Sequence, residues 1–387
     1  MKLLQAVILA AGEGKRVRPL TWSRPKAMIP VANHPIIEYV IDALVKNGIR
    51  DIIVVVGYRK EQVTRFLNQL DLPIDVVVQE KQLGTAHALL QAEPNITGDF
   101  LLLPGDNYID PQSIGRITRV SNAVLVKEHP SPSNFGVVLL DEGEVQSIVE
   151  KPEHAQSFMV STGIYSLKKD FFTFIEGNDI TDAVTAMLDA GRRIRAVTAD
   201  DWQDAIYPWD LLKMNRRLLA SLPSAQEGLT SRHATLQGPV RIGKGTTIGP
   251  HTVITGPVII GNDCHIGPNC CILPNTSIGS RVAIEPLTVV GNTLVMDDVT
   301  ICSHSRLVDS VIGERCWLAD HMSVSTTVGI LEIEGSPVRS EFGAIIGDNT
   351  KSGPFTLCRN CIIGNNVTLG GTNNLLSRII ADGSVVI

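Results

Sequence analysis

No stretch of this 387-residue chain approaches the roughly 20 consecutive apolar residues that a membrane-spanning helix needs, so no membrane partner is expected. Met1 leads within a few residues into an apolar strand, with no signal-peptide pattern; the expected compartment is the cytoplasm. Charge of one sign is also lacking: 34 basic residues stand against 40 acidic ones, which argues against a nucleic-acid partner. Cysteines number seven, an odd count scattered over a large chain, which fits reduced thiols better than a disulfide framework. Cys358-Arg-Asn-Cys361 is a lone CxxC, and the second pair that a zinc site would want is missing.

What is present is concentrated in residues 6–26, AVILAAGEGKRVRPLTWSRPK. The apolar run Ala6 to Leu9 reads as a buried strand. Ala10, Ala11, Gly12 and Gly14 follow at once, then the cations Lys15, Arg16, Arg18 and Lys26. A strand that breaks into a Gly-rich turn lets backbone N–H groups approach an anion, and the cations match its charge. That combination suits a polyphosphate. The G-x-x-x-x-G-K-[ST] pattern of P-loop enzymes is absent, and the Rossmann G-x-G-x-x-G is broken at Val17.

The length allows two domains. Over residues 1–222 strands and helices alternate, which predicts a mainly parallel sheet flanked by helices. Expected helices are Ile36 to Asn47, stopped at Gly48, and Glu61 to Leu70; expected strands are Asp51 to Val56, Ile74 to Gln79 and Phe100 to Leu103. Gly12, Gln79 and Asp106 all fall just past strand carboxyl ends, where open α/β sheets bind ligands. Residues 223–234 are polar and read as a linker. From 235 to 387 the period becomes six. Ile242, Ile248, Ile254, Ile260, Ile266, Ile272, Ile278, Ile284 and Val290 follow one another without a break. Such a repeat is the signature of a β-helix that buries one aliphatic residue per side of each coil. The phase slips near 295 and near 312, and residues 325–342 read as an excursion.

Gly12, Gly14, Arg16, Pro19, Leu20, Thr21, Pro25 and Lys26 match the G-x-G-x-R-x-x-P-L-T…P-K signature of the sugar-1-phosphate nucleotidylyltransferases, and the chain resembles that family. The resemblance implies an α/β Rossmann-like nucleotidyltransferase domain followed by a left-handed parallel β-helix of hexapeptide repeats. It implies transfer of a nucleotidyl group from an NTP, UTP or dTTP, to a hexose 1-phosphate of glucose or N-acetylglucosamine type. Arg16 and Lys26 would meet the phosphates, beside Ala10, Ala11, Gly12 and Gly14. Asp106 and Asp204 would hold Mg²⁺, since Mg²⁺ takes one or two carboxylates plus phosphate oxygens. Gln79, Gln82, Gly84 and Thr85 would contact the base, as an amide can donate and accept on one base edge. Gly136, Glu150, Lys151 and Thr162 would take the sugar phosphate, with Lys151 also meeting the phosphate of the reacting sugar. Ser161 stands where relatives specific for N-acetylglucosamine 1-phosphate commonly carry Asn.

Bifunctional relatives acetylate a hexosamine 1-phosphate with acetyl-CoA on the β-helix, using a His base. Here His304 and Asp309 are present, but the aromatic and the Asn of the Gly-rich turn are not. An oligomerisation and spacer role is favoured for this domain, and similarity points to a homo-oligomer, a trimer first. A non-catalytic relative that only binds nucleotide sugar would have lost a metal carboxylate or a phosphate cation; all are present.

Overall fold

The computed structural model describes residues 4–387, so Met1 lies outside the described part. The chain divides into two compact units. One holds residues up to Glu13, Arg24–Met28 and Pro35–Asp204; the other holds Gly14–Ser23, Ile29–His34 and Ala205–Ile387.

The first unit is built on a nine-stranded sheet. The strand Gln5–Ala10 lies inside its parallel half, paired in parallel with Ile52–Val56 on one side and Phe100–Pro104 on the other. Ile52–Val56 reads IIVVV and is buried throughout, as expected of a strand covered on both faces. Ile74–Val78 extends the parallel half. The helix Ile36–Lys46 buries Ile36, Ile37, Val40, Ile41 and Leu44, a stripe at helical spacing, and stops before Gly48, which has φ +76°. Lys60–Leu67 is helical but shorter than the sequence suggested.

The other half of the sheet is mixed rather than parallel. Met159–Leu167 runs antiparallel to Phe100–Pro104 and Ala123–Glu128, and Gly136–Asp141 forms a hairpin with Glu144–Glu150. The regular strand–helix alternation lapses there, so no crossover helix imposes parallel pairing.

In the second unit three parallel sheets stack into a left-handed β-helix. All nine hexad residues are buried, at 3% exposure or less. Successive coils align Ile242 with Ile260, and Ile260 with Ile278, a step of 18 residues. The next pairing sets Ile278 against Val295 and the following one Val295 against Ile312, a step of 17. The phase slips are therefore corners shortened by one residue. Corners turn through left-handed backbone at Asn269, Asn275, His304, Asp309 and others, a conformation Asn and Asp accept most readily. A Cβ on Gly261 would lie 2.5 Å from the Gly279 carbonyl oxygen of the next coil, so that corner closes only without a side chain.

Residues 223–234 do not form a linker. Ala225–Gln226 and Leu229–Thr230 pair with the coil above them, so the polar stretch is already the first turn of the β-helix. Upstream, the helix Asp210–Leu219 belongs to this same unit. Its Asn215, fully buried, accepts from the Ala32 N–H and the Ser277 hydroxyl and donates to the Asn275 carbonyl. The excursion is a hairpin, Thr327–Ile333 paired with Ser336–Phe342. All seven cysteines lie in this unit as free thiols, five of them buried. The Cys361 thiol donates to the Arg359 carbonyl at 3.2 Å, and its pairing with Cys358 holds Cys361 below the usual thiol range while the same pairing and burial push Cys358 up. No helix among the described residues is long and apolar enough to cross a membrane.

Candidate active site

Asp106 follows the strand Phe100–Pro104 by two residues. Asp204 ends the short strand Trp202–Asp204, which pairs antiparallel with Asn107–Ile109 and sets Asp204 opposite Asn107. That pairing brings the two carboxylates together. The Lys26 ammonium lies 3.0 Å from Asp106 Oδ2 and 2.6 Å from Asp204 Oδ1. Lys26 is 8% exposed. Burial alone would lower its pKa, but the two carboxylates outweigh burial and raise it above the ordinary lysine range. Lys26 occupies the point on which Asp106 Oδ2 and Asp204 Oδ1 converge, and the second oxygen of each carboxylate is what the pair offers a hard divalent cation sharing phosphate oxygens. Among the described residues no group of three or more His, Cys, Asp or Glu side chains forms a metal cage.

Asn107 was not singled out by its sequence. It is 2% exposed, its amide donates to the Thr162 carbonyl at 3.3 Å, and its buried Oδ1 has no partner among the described residues. Trp202 packs edge-on against Phe135, with ring centroids 5.2 Å apart, and its buried indole N–H likewise meets no acceptor among the described residues. Asp200 and Asp210 have other work. Asp200 pairs with Arg116 at 2.9 Å, and Asp210 accepts from the Tyr207 N–H as it opens a helix.

Ala10 ends the strand Gln5–Ala10, and the carbonyl of Ala11, next in the chain, accepts from the Tyr58 N–H. A Cβ on Gly12 would meet nothing within 4 Å, so space is open there. Gly14, with φ +70°, starts the single 3-10 turn Lys15–Val17. Arg16 on that turn is half-buried, and among the described residues its guanidinium makes no ion pair or hydrogen bond.

The segment after Ile74–Val78 is tied down from within. Gln79 is 2% exposed, and its amide donates to the Gly84 carbonyl at 3.1 Å and lies 2.9 Å from His87 Nδ1. Gln82 donates back to the Gln79 carbonyl. Gly84 has φ +145°, and any Cβ there would collide with the Asn178 carbonyl. The Thr85 hydroxyl accepts from the Ile180 N–H at 3.0 Å. The amide of Gln79 and the hydroxyl of Thr85 therefore shape this loop.

Gly136 and Glu150 face each other across the hairpin, and a Cβ on Gly136 would sit 3.3 Å from Glu150 Oε2. Lys151, in left-handed backbone, pairs with Glu150 at 2.8 Å. The Thr162 hydroxyl donates to the Leu125 carbonyl at 3.0 Å. Ser161 shares a hydrogen bond of 3.0 Å with the Tyr165 hydroxyl, which burial, with Glu150 adding, pushes up to about 12.

On the β-helix, His304 is exposed at a corner and stacks on His321, itself stacked on Phe355. Asp309 accepts from Asn292 and from the Thr326 hydroxyl. That carboxylate is thus occupied on another corner rather than aimed at His304. A cavity of about 290 Å³ in this unit, with Asn33, Glu227 and Arg241 among its lining residues, contains none of the residues named as candidates.

The family described as "Nucleotidyl transferase" matches residues 5–221, and the one described as "GMPPB C-terminal domain" matches residues 254–382. The chain is 36% identical over 403 residues to the bifunctional protein GlmU of Methanococcus maripaludis, covering 99% of this chain and 97% of that one. It is 33% identical over 254 residues to a bifunctional sugar-1-phosphate nucleotidylyltransferase/acetyltransferase of Sulfurisphaera tokodaii, covering 62% of each. A solved UDP-glucose pyrophosphorylase from Acinetobacter baumanii is 25% identical, with a TM-score of 0.50, over 56% of this chain and 93% of that one. The family's substrates are an NTP and a sugar 1-phosphate, and its members generally use a divalent metal. The match over residues 5–221 and the likeness to GlmU over nearly the whole chain place this protein in the nucleotidyl transferase family, as a sugar-1-phosphate nucleotidylyltransferase.

Proposed function

We propose that this enzyme joins UTP or dTTP to a hexose 1-phosphate of glucose or N-acetylglucosamine type, at a centre formed by Lys26, Asp106 and Asp204. The observation that carries this reading is their convergence, at 3.0 and 2.6 Å, on the carboxyl-end side of the sheet. The sugar phosphate oxygen attacks the α-phosphorus in line and pyrophosphate leaves, so the protein's work is positioning and charge neutralisation. Asp106 and Asp204 would hold Mg²⁺. Bound there, Mg²⁺ supplies polarisation of the α-phosphate. Lys26 meets the α-phosphate, where charge shifts in the transition state. Arg16, which pairs with no other side chain among the described residues, takes the β- and γ-phosphates. Ala10, Ala11, Gly12 and Gly14 present backbone to the triphosphate. Gln82 and the backbone of the 79–85 loop read the base, Gly136 and Glu150 the hexose ring, and Lys151 the sugar phosphate. The enzyme works in the cytoplasm as a homo-oligomer, a trimer first, without nucleic acid; light scattering showing the mass of one chain would remove that part.

The test is a pyrophosphate-release screen of the common NTPs against glucose, N-acetylglucosamine and galactose 1-phosphates with Mg²⁺. The expected result is release with UTP or dTTP and a gluco-configured acceptor, abolished by chelating the metal. No release above background with any pair would refute the reading.

A second activity, acetylation of a hexosamine 1-phosphate on the β-helix, is favoured by the bifunctional name of the S. tokodaii relative and by the exposed His304. A further arm of the same screen, with acetyl-CoA and glucosamine 1-phosphate, decides it. Free thiol lost in His304→Ala supports acetyl transfer; none above background leaves the domain its scaffold role.

A further inference from the structure

One corner of the β-helix carries a column of polar side chains, each of which accepts the backbone N–H of the coil before it. Asn262 takes the Lys244 N–H at 2.9 Å, Asp297 that of Ser280 at 2.9 Å, Asp348 that of Glu314 at 2.8 Å and Asn365 that of Asp348 at 2.7 Å. One polar atom of each closes the coil. The remaining atom differs along the column. In Asp297 it faces Arg281 at the surface. In Asp348 and Asn365, which are 1% and 6% exposed, it reaches a different part of the chain. Asp348 Oδ2 accepts from the Ser23 hydroxyl at 2.5 Å, and the Asn365 amide donates to the Pro19 carbonyl at 3.0 Å.

Pro19 and Ser23 lie in the segment Gly14–Ser23, which belongs to the same compact unit as the β-helix. The segment is closed on itself. The Gly14 carbonyl accepts from the Val17 N–H and from the Thr21 hydroxyl at 2.9 Å, and the Trp22 N–H reaches the Pro19 carbonyl. The Arg18 guanidinium lies 3.8 Å over the Trp22 ring. Val17, Leu20 and Thr21 are buried. A self-closed loop pinned at two points moves as one piece, so whatever fixes Pro19 and Ser23 also fixes the backbone that carries Arg16.

We propose that Asn365 and Asp348 are positioning residues for nucleotide binding, acting through Arg16, so that the β-helix sets the orientation of the phosphate loop. The inference rests on the assignment of Arg16 to the triphosphate. It gives the second unit a part in nucleotidyl transfer that its bare scaffold role does not include.

The test is a double-mutant cycle read by steady-state pyrophosphate release. Ser23→Ala and Asn365→Ala each remove one pin. Each is expected to raise KM for the NTP about three- to tenfold, the range of one ordinary hydrogen bond, with a smaller change in kcat. Ser23→Thr keeps the hydroxyl and restores KM. In an Arg16→Ala background neither pin variant changes KM further. Should Asn365→Ala fail to fold, Ser23→Ala, which leaves the bond from Glu314 to Asp348 intact, carries the test alone. Pin variants that leave KM unchanged, or whose effects multiply with that of Arg16→Ala, overturn the inference and leave the function standing. An Arg16→Ala enzyme with unchanged KM overturns the assignment of Arg16 and the inference with it.

Discussion

Replacing Lys26 with alanine is expected to slow pyrophosphate release by about a hundred- to a thousandfold, the cost of losing one preorganised donor at developing charge. The ammonium is buried and held by Asp106 and Asp204 at 3.0 and 2.6 Å, so it is fixed before substrate arrives. Its positive charge is secured by the two carboxylates, which outweigh the burial that would otherwise favour the neutral amine. Lys26→Arg keeps the charge but not the compact shape, and recovers only part of the loss. Asp106→Asn is expected to lose as much as Lys26→Ala, and raising the metal concentration should recover some of it. The check is initial rate at saturating substrates, with far-UV circular dichroism confirming the fold. A Lys26→Ala rate within tenfold of the wild type contradicts the role given to Lys26.

The largest stability effect is expected from the β-helix core. Ile284 is fully buried and stacks between Ile266 of one coil and Ile301 of the next. Ile284→Ala should cost about 2–5 kcal/mol, because a coil held by backbone ladders on both sides cannot collapse to fill the gap. Leu287, half-exposed at the neighbouring corner, supplies the contrast: Leu287→Ala should stay within about 0.5 kcal/mol. Urea unfolding followed by tryptophan fluorescence measures both. Similar losses at the two positions would contradict the packing described.

The hexad repeat was legible because its cause is local: every sixth residue must enter a narrow core, and the sequence shows it without knowledge of any partner. Even the shortened corners are visible, as the step from Val290 to Val295 is five residues rather than six. The start of the β-helix was not legible. Its first coil is polar, and the helix Asp210–Leu219 joins the second unit through Asn215, whose partners at Ala32, Asn275 and Ser277 are far away in sequence. The parallel half of the sheet follows from strand–helix alternation; the mixed half depends on pairings that no periodicity announces.

In the site, Asp106 and Asp204 could be nominated from motif and strand ends. Their meeting depends on the pairing of Trp202–Asp204 with Asn107–Ile109. Side-chain duties were harder to read. An amide at position 79 and hydroxyls at 85 and 162 look equally fit for a ligand, yet His87, Ile180 and Leu125 engage them. The pins from Asp348 and Asn365 to Ser23 and Pro19 span 325 and 346 residues, a separation at which one sequence carries no signal.

The most direct measurement is an anomalous-scattering map from crystals grown with Mn²⁺ and a non-hydrolysable analogue of UTP. The account predicts an anomalous peak bound by Asp106 and Asp204, with the triphosphate along Gly12 to Lys26. A peak elsewhere, or a nucleotide seated away from that turn, would contradict it.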